Sequence, residues 1–416
     1  MTAFSPNRLA LAAVLLMLAP SGIVLAADAS PAIVAVEAGE FDRVDTPVVF
    51  EAAWDVPADA RLSLTDLDSG AEVPVQRLPG KKTRLVWLLS DRLSAGHTRQ
   101  YRLNVARDGE AEVAATCVAA DGWLKIDVEG KPVLRYAAEV QTPPEELSPV
   151  YRRSGFIHPL FDPEGRILTD DFPPDHAHQH GVFFAWVNTT FEGRKIDFWN
   201  QAAETGRIEH VETLGTQQGP VFAQFTTKLR HLDITTPDAP RPVLEERWVV
   251  RVYRLTDYFL FDLTSAQTCV AKSPLVINEY HYGGMALRGA REWFEQPEHD
   301  MLTSDGATRK DGNHTRPVWV EMYGNIQGKP SGVTIMGSPQ NHGYPQPVRL
   351  HPTKPYLCFA PMVLGEFSIE PGQPYISRYR LVAHVGKPDP NLNERIWNDY
   401  AHPPKVRVVK APTTQP

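Results

Sequence analysis

Cysteines are few in this 416-residue chain, and basic residues are outnumbered by acidic ones. Cys117, Cys269 and Cys358 lie far apart without a CxxC pair. We therefore expect buried free thiols rather than a disulfide framework or a cysteine-ligated metal. The formal net charge of −8 removes the electrostatic attraction that binding to nucleic acid or an anionic membrane requires. After the N-terminus, no stretch is apolar and long enough to span a bilayer.

Turn-forming and aromatic residues are abundant, with 37 prolines, 28 glycines and 9% aromatic residues. This composition favours many short strands, and the predicted fold class is all-β. Between 27 and 112, short apolar segments separated by turns predict a small N-terminal immunoglobulin-like β-sandwich. From 113 to 385 the alternating segments are longer and predict large antiparallel sheets packed face to face. The remainder, 386–416, is expected to form a short helix at 391–400 and a loose C-terminal tail.

The first 26 residues have the pattern of a cleaved signal peptide. Arg8 is the one charge, 9–18 is an apolar run, and Val-Leu-Ala at 24–26 provides a small-residue cleavage site. The apolar run is too short for a spanning helix of about 20 residues. The mature chain is therefore expected to be periplasmic or extracellular.

One short segment carries most of the polar chemistry. It reads Thr-Asp-Asp-Phe-Pro-Pro-Asp-His-Ala-His-Gln-His-Gly at 169–181. If it is extended, as its two prolines favour, His176, His178 and His180 project from one face. Three interpretations stay open: a sugar-binding site with histidine acid/base chemistry, a divalent metal site on these three histidines, and a purely structural role.

Polar side chains that suit sugar recognition recur elsewhere between 113 and 385. Charged and histidine side chains can bind hydroxyls, and aromatic faces can cover the C–H side of a pyranose. The predicted catalytic residues are His176, His178, Asp175, Glu279 and His281. The predicted substrate-binding residues are Arg152, Arg153, Asp171, Trp199, Asn200, His314 and His342.

A carboxylate is also predicted inside the larger part of the fold. Glu246 shares one strand face with Trp248 and Val250, so we expect it to be buried. Two interpretations are open: an ion pair with Arg230 or Arg254, or an acid with a raised pKa.

Three motifs resemble an uncharacterised secreted bacterial family catalogued as PmoA-like, or methane oxygenase PmoA, over about 120–385. They are Tyr-Arg-Arg-Ser-Gly-Phe-Ile-His-Pro-Leu at 151–160, the histidine segment at 169–181, and Asp-Phe-Trp-Asn at 197–200. The family pattern places Asp-His-Pro-His-His shortly before a glycine. This chain departs from it at Ala177 and Gln179 and keeps Asp175, His176, His178 and Gly181.

The long strands, the aromatic–histidine clusters and the segments at 365–372 and 377–381 resemble galactose-mutarotase-like proteins. That resemblance implies a large antiparallel β-supersandwich after the small N-terminal sandwich. It also implies a carbohydrate ligand on a concave sheet face. Methane oxygenase activity is not expected, because the membrane subunit of particulate methane monooxygenase is a polytopic helical protein and this chain has no spanning segment.

The sequence therefore predicts an exported carbohydrate-active protein that is a hydrolase, lyase or epimerase. His176 and His178 would act as acid/base or ligand-orienting groups, with the two aspartates orienting them and Glu279 and His281 facing them. One alternative is a non-catalytic carbohydrate-binding protein. The other is a metal-dependent enzyme with a divalent metal as its cofactor. The expected partner is a carbohydrate. We expect neither nucleic-acid binding nor a membrane span, and the oligomeric state does not follow from the sequence.

Overall fold

Apolar and polar residues alternate along most of the chain, and this pattern folds as strands. The structure, a computed structural model, describes residues 1, 31–54, 56, 60–106, 112–236, 240–296 and 299–411. Apart from Met1, the predicted signal peptide lies outside these residues. The first strands are β1 (Ile33–Glu37), β2 (Thr46–Glu51), β3 (Arg61–Asp66), β4 (Glu72–Pro74), β5 (Gln76–Leu78), β6 (Arg84–Leu89) and β7 (Thr98–Ala106).

The larger part of the chain follows. Its first elements are β8 (Ala115–Ala120), β9 (Trp123–Val128), β10 (Lys131–Ala137), β11 (Ile157–Leu160), β12 (Val182–Ala185), β13 (Thr189–Phe191), β14 (Arg194–Ile196), β15 (Gly206–Gln217), β16 (Phe222–Asp233), β17 (Arg241–Tyr253), β18 (Tyr258–Cys269), β19 (Leu275–Ile277) and β20 (Gly284–Arg288). The rest are α1 (Arg291–Glu295), β21 (Asp300–Thr303), β22 (Trp319–Ile326), β23 (Lys329–Gly337), β24 (Val348–Leu350), β25 (Tyr356–Phe359), β26 (Phe367–Ile369), β27 (Pro374–Val385), α2 (Pro390–Ala401) and β28 (Lys405–Lys410). Short 3-10 helices cover Pro149–Tyr151, Gln201–Ala203 and Pro361–Leu364.

A small β-sandwich forms the N-terminal part. One sheet has the strand order β28-β1-β7-β3-β4, and the other has the order β2-β6-β5. The two sheets enclose their own apolar core, which includes Val36, Phe50, Leu64, Trp87 and Tyr101. Burial of these side chains is what stabilises so small a sandwich.

Two eight-stranded antiparallel sheets form the larger part. Their strand orders are β24-β25-β20-β12-β11-β10-β9-β8 and β15-β16-β17-β18-β27-β23-β22-β21, and a four-stranded sheet has the order β14-β13-β19-β26. The large sheets share one apolar core, in which the Phe359 ring of β25 lies 5.5 Å from the Tyr379 ring of β27. The predicted all-β class, with a small sandwich followed by large antiparallel sheets, is confirmed.

The C-terminal helix is present, but the predicted loose tail is wrong over 405–410. The Asp389 side chain caps α2 by accepting two backbone N–H groups of its first turn, which begins at Pro390. After α2, β28 pairs antiparallel with β1, and Arg407 forms a 2.7 Å ion pair with Glu37. Without β28, β1 would be an unpaired sheet edge.

Neither helix in the described ranges is long and apolar enough to cross a membrane. The three cysteines are buried free thiols, as expected from the sequence. Burial raises the pKa of Cys117 to about 12 and, as the largest effect on it, the pKa of Cys358 to about 11. Both thiols are therefore protonated at neutral pH.

Candidate functional site

The histidine segment between β11 and β12 folds as two successive turns. The N–H of His176 donates to the carbonyl of Pro173 (3.0 Å), and the N–H of Gln179 donates to the carbonyl of His176 (2.8 Å). Pro174 occupies the second position of the first turn, where its fixed φ is favourable. The prediction of an extended segment with three histidines on one face is therefore wrong, because each turn redirects the chain.

His180 turns inward from this segment. Its ring is fully buried, its Nδ1–H donates to Asp171 Oδ1 (2.5 Å), and Gln201 Nε2 donates to its Nε2 (3.3 Å). Gly181 permits this path, because its φ is +39° and a Cβ there would lie 2.0 Å from the carbonyl oxygen of Ile157. Burial lowers the pKa of His180 and raises that of Asp171 to about 7. Asp171, predicted to bind substrate, instead orients a buried imidazole.

His176 lies on the solvent side, with 31% of its side chain exposed. Its Nδ1 lies 2.9 Å from Asp175 Oδ2. The same carboxylate accepts two hydrogen bonds from Arg288 of β20 (2.8 and 3.2 Å) and one from Lys354 Nζ (2.7 Å). Arg288 also donates to Gln179 Oε1 (3.0 Å), which fixes the second turn of the segment. Two cations and an imidazole thus converge on Asp175.

These contacts determine which nitrogen of His176 carries a proton. Burial raises the pKa of Asp175, but hydrogen bonds from His176, Arg288 and Lys354 outweigh it and hold that pKa well below its usual value. An ionised carboxylate only accepts hydrogen bonds, whereas Lys354 Nζ, 3.0 Å from the same Nδ1, only donates them. Because Lys354 already donates to Asp175 Oδ2 (2.7 Å), we assign the proton to Nδ1 of His176, which donates it to Asp175. The lone pair of a neutral His176 therefore stands on Nε2.

Two further imidazoles and an exposed ring adjoin this pair. The rings of His178 and His351 lie 5.4 and 6.3 Å from that of His176. Burial, reinforced by neighbouring positive groups, lowers the pKa of His178 to about 3 and that of His351 to about 4, so both are neutral at pH 7. The ring of Phe294, 41% exposed, lies 5.6 Å from Lys354 Nζ. The residues that we call the histidine cluster are Asp175, His176, His178, Arg288, Phe294, His351 and Lys354.

The cluster adjoins the face of a large sheet that points away from the other large sheet. Phe359 of β25 packs on a ring of β27, so Tyr356 and Cys358, which alternate with it, point the other way. Cross-strand partners share a face, and Arg288 pairs with Tyr356 while Arg349 pairs with Cys358. Strands β20, β24 and β25 therefore deliver two arginines to one side of the sheet.

A second group of polar rings lies nearby, which we call the tyrosine–histidine cluster. His314 Nε2 donates to the carbonyl of His281 (3.0 Å), and the ring of Tyr280 lies 4.3 Å from that of His281. Burial and then the charge of Arg349 lower the pKa of both His281 and His351. Nη1 of Arg349 donates to Asn313 Oδ1 (3.2 Å), and the N–H of the next residue, His314, donates to the carbonyl of Val348 (2.7 Å), so this cluster is anchored to the strand that carries Arg349. The members of the tyrosine–histidine cluster are Tyr280, His281, Tyr282 and His314.

Glu279 precedes this cluster, but its carboxylate does not join it. Its backbone carbonyl accepts a hydrogen bond from Asn188 Nδ2 (3.3 Å), and its side chain is exposed. Within the described ranges, no contact links the Glu279 carboxylate to His176 or His178. His281 is joined through His314 to β24, the strand that carries Arg349, whereas Glu279 lies outside the histidine cluster.

The other predicted substrate-binding residues are dispersed. Arg152 is exposed at a cleft of about 350 Å³, whereas Arg153 is buried with its guanidinium 5.2 Å from a phenylalanine ring. Trp199 is completely buried and offers no face to a sugar. The side chain of Asn200 caps the following 3-10 helix. His342 is exposed and packs 4.7 Å from a different phenylalanine ring. The sequence grouped these residues by type within one part of the chain, and residue type does not determine where a side chain points.

Glu246 of β17 is buried as expected, but its partners differ from the prediction. It accepts hydrogen bonds from His231 (2.8 Å), Trp248 (2.6 Å), Ser265 (2.5 Å) and Gln267 (3.1 Å). Burial raises its pKa, but the hydrogen bond and charge of His231, with the other donors, lower it below the usual value. Both interpretations, an arginine ion pair and a raised pKa, are wrong, because the two arginines pair with other carboxylates.

The predicted metal site on His176, His178 and His180 is not assembled. In the part of the chain that the structure describes, no group of three or more histidine, cysteine or acidic side chains could hold a metal ion. Both nitrogens of His180 are hydrogen-bonded inside the protein, and Nδ1 of His176 is bound to Asp175. The two turns separate His180 from the other imidazoles.

Sequence reasoning missed four members of the histidine cluster: Arg288, Phe294, His351 and Lys354. They come from β20, α1 and the loop before β25, more than a hundred residues after the histidine segment. The available signal was Arg288, because a charged residue that ends the apolar strand Gly-Met-Ala-Leu-Arg requires a buried counter-ion.

Three solved structures are similar to parts of the chain at low identity. An alpha-mannosidase from Enterococcus faecalis V583 has a TM-score of 0.38 at 12% identity, over 91% of this chain and 46% of that one. This chain therefore spans less than half of that enzyme's length. A galactose mutarotase related enzyme from Lactobacillus acidophilus has a TM-score of 0.32 at 10% identity, over 65% and 97%. A galactose mutarotase-like protein from Clostridium acetobutylicum has a TM-score of 0.27 at 9% identity, over 66% and 96%. These likenesses support no statement about the site.

Comparisons at the sequence level give a family without an activity. No curated protein matches the chain. A family profile described as "Family of unknown function" matches residues 124–398, which include both clusters and most strands of the two large sheets. The expected PmoA-like label stays a prediction. The match covers well over half of the chain, which therefore belongs to the family of unknown function DUF6807.

Proposed function

We propose that the protein is a carbohydrate-active enzyme that transfers a proton to or from a sugar at the histidine cluster. The observation that carries this proposal is the Asp175–His176 pair. An ionised carboxylate that fixes Nδ1–H leaves Nε2 free to accept a proton. Within the described ranges, the polar contacts of the His176 ring are made by Nδ1, which lies 2.9 Å from Asp175 Oδ2 and 3.0 Å from Lys354 Nζ.

The groups around His176 suit a sugar. Neutral His178 and His351 can donate or accept hydrogen bonds with hydroxyls, and Lys354 can donate to them. The exposed ring of Phe294 can cover an apolar C–H face. When His176 takes a proton, the imidazolium stands beside the ionised Asp175, whose negative charge stabilises it.

Among the predicted reaction classes, we favour a lyase or epimerase over a hydrolase. Glycoside hydrolysis normally uses two carboxyl groups on either side of the scissile bond, one of them protonated. Asp175 is held ionised by two cations, and Glu279 lies outside the cluster. Asp171, with a pKa of about 7, is directed to His180 rather than to solvent. Imidazole is therefore the proton-transfer group that the cluster offers.

The enzyme is further proposed to work outside the cytoplasm, because residues 1–26 have the signal-peptide pattern. Mass spectrometry of the protein isolated from its native host should find a mature N-terminus close to residue 27. An intact N-terminus in the cytoplasmic fraction would contradict export.

Turnover of an oligosaccharide panel by the wild type and by His176→Ala and His178→Ala variants tests the proposal. We expect turnover by the wild type and a loss of at least about 100-fold in His176→Ala, since general base catalysis contributes about 10²–10⁴ in rate. His97→Ala is the matched control, because His97 is exposed in the N-terminal sandwich. Saccharide binding without turnover by the wild type would favour the non-catalytic alternative, and turnover retained in His176→Ala would overturn the proposed role.

A further inference from the structure

With Arg349, the site carries more positive charge than the carboxylate of Asp175 neutralises. In the described ranges, Asp175 contacts both Arg288 and Lys354, whereas no carboxylate forms an ion pair with Arg349. Nη1 of Arg349 donates to Asn313 Oδ1 (3.2 Å), and none of its nitrogens is both buried and unpaired, so further N–H donors reach solvent. Three cations against one carboxylate form a local positive site in a chain of net charge −8.

The position of Arg349 ties this charge to the histidine cluster. Through the pairing of β24 with β25 and of β25 with β20, it shares one sheet face with Arg288. Between them on that face stands Tyr356, whose ring lies 6.3 Å from the ring of His351. The charge of Arg349 is felt by His281 on one side and by His351 on the other. Arg349 and His351 are also two residues apart at the end of β24, so Arg349 lies next to one of the imidazoles that we propose to bind the sugar.

We propose that the substrate is an acidic saccharide whose uronate carboxylate is bound by Arg349. This inference rests on the proposed function and adds the substrate class to it. The planar guanidinium fork matches a carboxylate with two parallel N–H···O bonds, and the charge pair is strongest where the site is partly desolvated. A neutral sugar would leave the excess positive charge without a counter-ion.

A uronate also carries an acidic proton on C5, which His176 can accept. The C5–H bond, next to the carboxylate, breaks; its proton goes to Nε2 of His176, and its electron pair is delocalised into the carboxylate held by Arg349. In a lyase, the pair then forms the C4=C5 double bond while the O4 substituent leaves with its own electron pair and takes the proton from the imidazolium. In an epimerase, a water molecule on the opposite face would give a proton to C5, and the hydroxide that it leaves would take the proton from the His176 imidazolium.

Matched pairs of ligands test the substrate class. Calorimetric binding is measured for oligosaccharides of galacturonate, glucuronate and mannuronate, each beside its carboxyl-reduced, neutral counterpart, and for a sulfated galactan oligosaccharide. Wild type should bind one uronate at least tenfold more tightly than its reduced counterpart. Arg349→Met should abolish that preference, Arg349→Lys should retain part of it, and the surface control Arg102→Met should retain it fully. Circular dichroism verifies that each variant is folded.

The outcomes separate this inference from the proposed function. Equal binding of a uronate and its neutral counterpart, or an unchanged preference in folded Arg349→Met, overturns the acidic-substrate inference and leaves the carbohydrate proposal standing. Tighter binding of the sulfated oligosaccharide than of every uronate replaces the carboxylate by a sulfate ester and overturns the uronate assignment. If no saccharide of any charge binds, both proposals fail.

Discussion

The substitution Asp175→Asn removes the negative charge at the centre of the histidine cluster. Arg288, its main partner, is 1% exposed, and Asp175 is 16% exposed. Removal of one partner from a buried ion pair costs about 3–5 kcal/mol, because the other charge stays buried without compensation. Since Asp175 keeps some contact with water, we expect the free energy of unfolding to fall by about 3 kcal/mol, near the lower end of that range. Lys354 is more exposed and adds little.

The same substitution removes the charge that stabilises the His176 imidazolium. The side-chain carbonyl of asparagine would take the place of Oδ2, where His176, Arg288 and Lys354 all donate, so Nδ1–H would keep an acceptor but lose the neighbouring negative charge. Proton transfer from the substrate to His176 would then be less favourable. We expect kcat/KM to fall by at least about 100-fold, the lower end of the usual general-base contribution.

Urea unfolding followed by tryptophan fluorescence measures the first effect, and turnover of the saccharide identified above measures the second. Asp121→Asn is the matched control, because Asp121 is 84% exposed and pairs with Lys125 at the surface. The control should change stability by no more than about 0.5 kcal/mol and leave turnover intact. Our reasoning is refuted if Asp175→Asn behaves like Asp121→Asn in both measurements.

Three further substitutions test other parts of the structure. Burial lowers the pKa of His178 to about 3, so the stability that neutral His178 contributes is complete above about pH 6.5 and is lost as the pH falls toward 3. The free energy of unfolding in urea should therefore change less between pH 6.5 and 4 for His178→Gln than for wild type. Equal changes would contradict this. Glu246→Ala leaves four buried donors without their acceptor and should lower the free energy of unfolding by about 3 kcal/mol or more. An unchanged midpoint in thermal unfolding would contradict the importance of these four hydrogen bonds. Gly181→Ala places a Cβ against the carbonyl of Ile157 and should destabilise the protein more than Gly165→Ala, because Gly165 also has a positive φ but has open space around it. Equal losses of stability would show that the close approach is unimportant.

The sequence allowed the fold class to be predicted because strands and caps have local signals. Alternation along β16 and β17 indicated long strands, and Asp389 followed by proline indicated the start of α2. The pairing of β28 with β1 has no local signal. Arg407 and Glu37, which form an ion pair across these strands, are 370 residues apart in the chain. Such long-range pairing depends on the whole fold, and the polar, proline-flanked tail concealed it.

The candidate site could be predicted in composition but not in geometry. The histidine segment was recognised from its residue types, and the structure places His176 beside Asp175 and the ring of His178 5.4 Å from that of His176. The inward direction of His180 depends on two turns and on the positive φ of Gly181, which depend in turn on contacts with distant strands. Arg288, likewise, reaches Asp175 only because β20 ends beneath the segment. Spacing along the chain carries none of this information.

A crystal structure of the protein with a bound uronate oligosaccharide tests the central claim most directly. The account predicts that the sugar lies against Phe294, with its C5 within about 3.5 Å of Nε2 of His176 and its carboxylate on Arg349. A sugar bound in the cleft beside Arg152, with His176 still facing water, would contradict it.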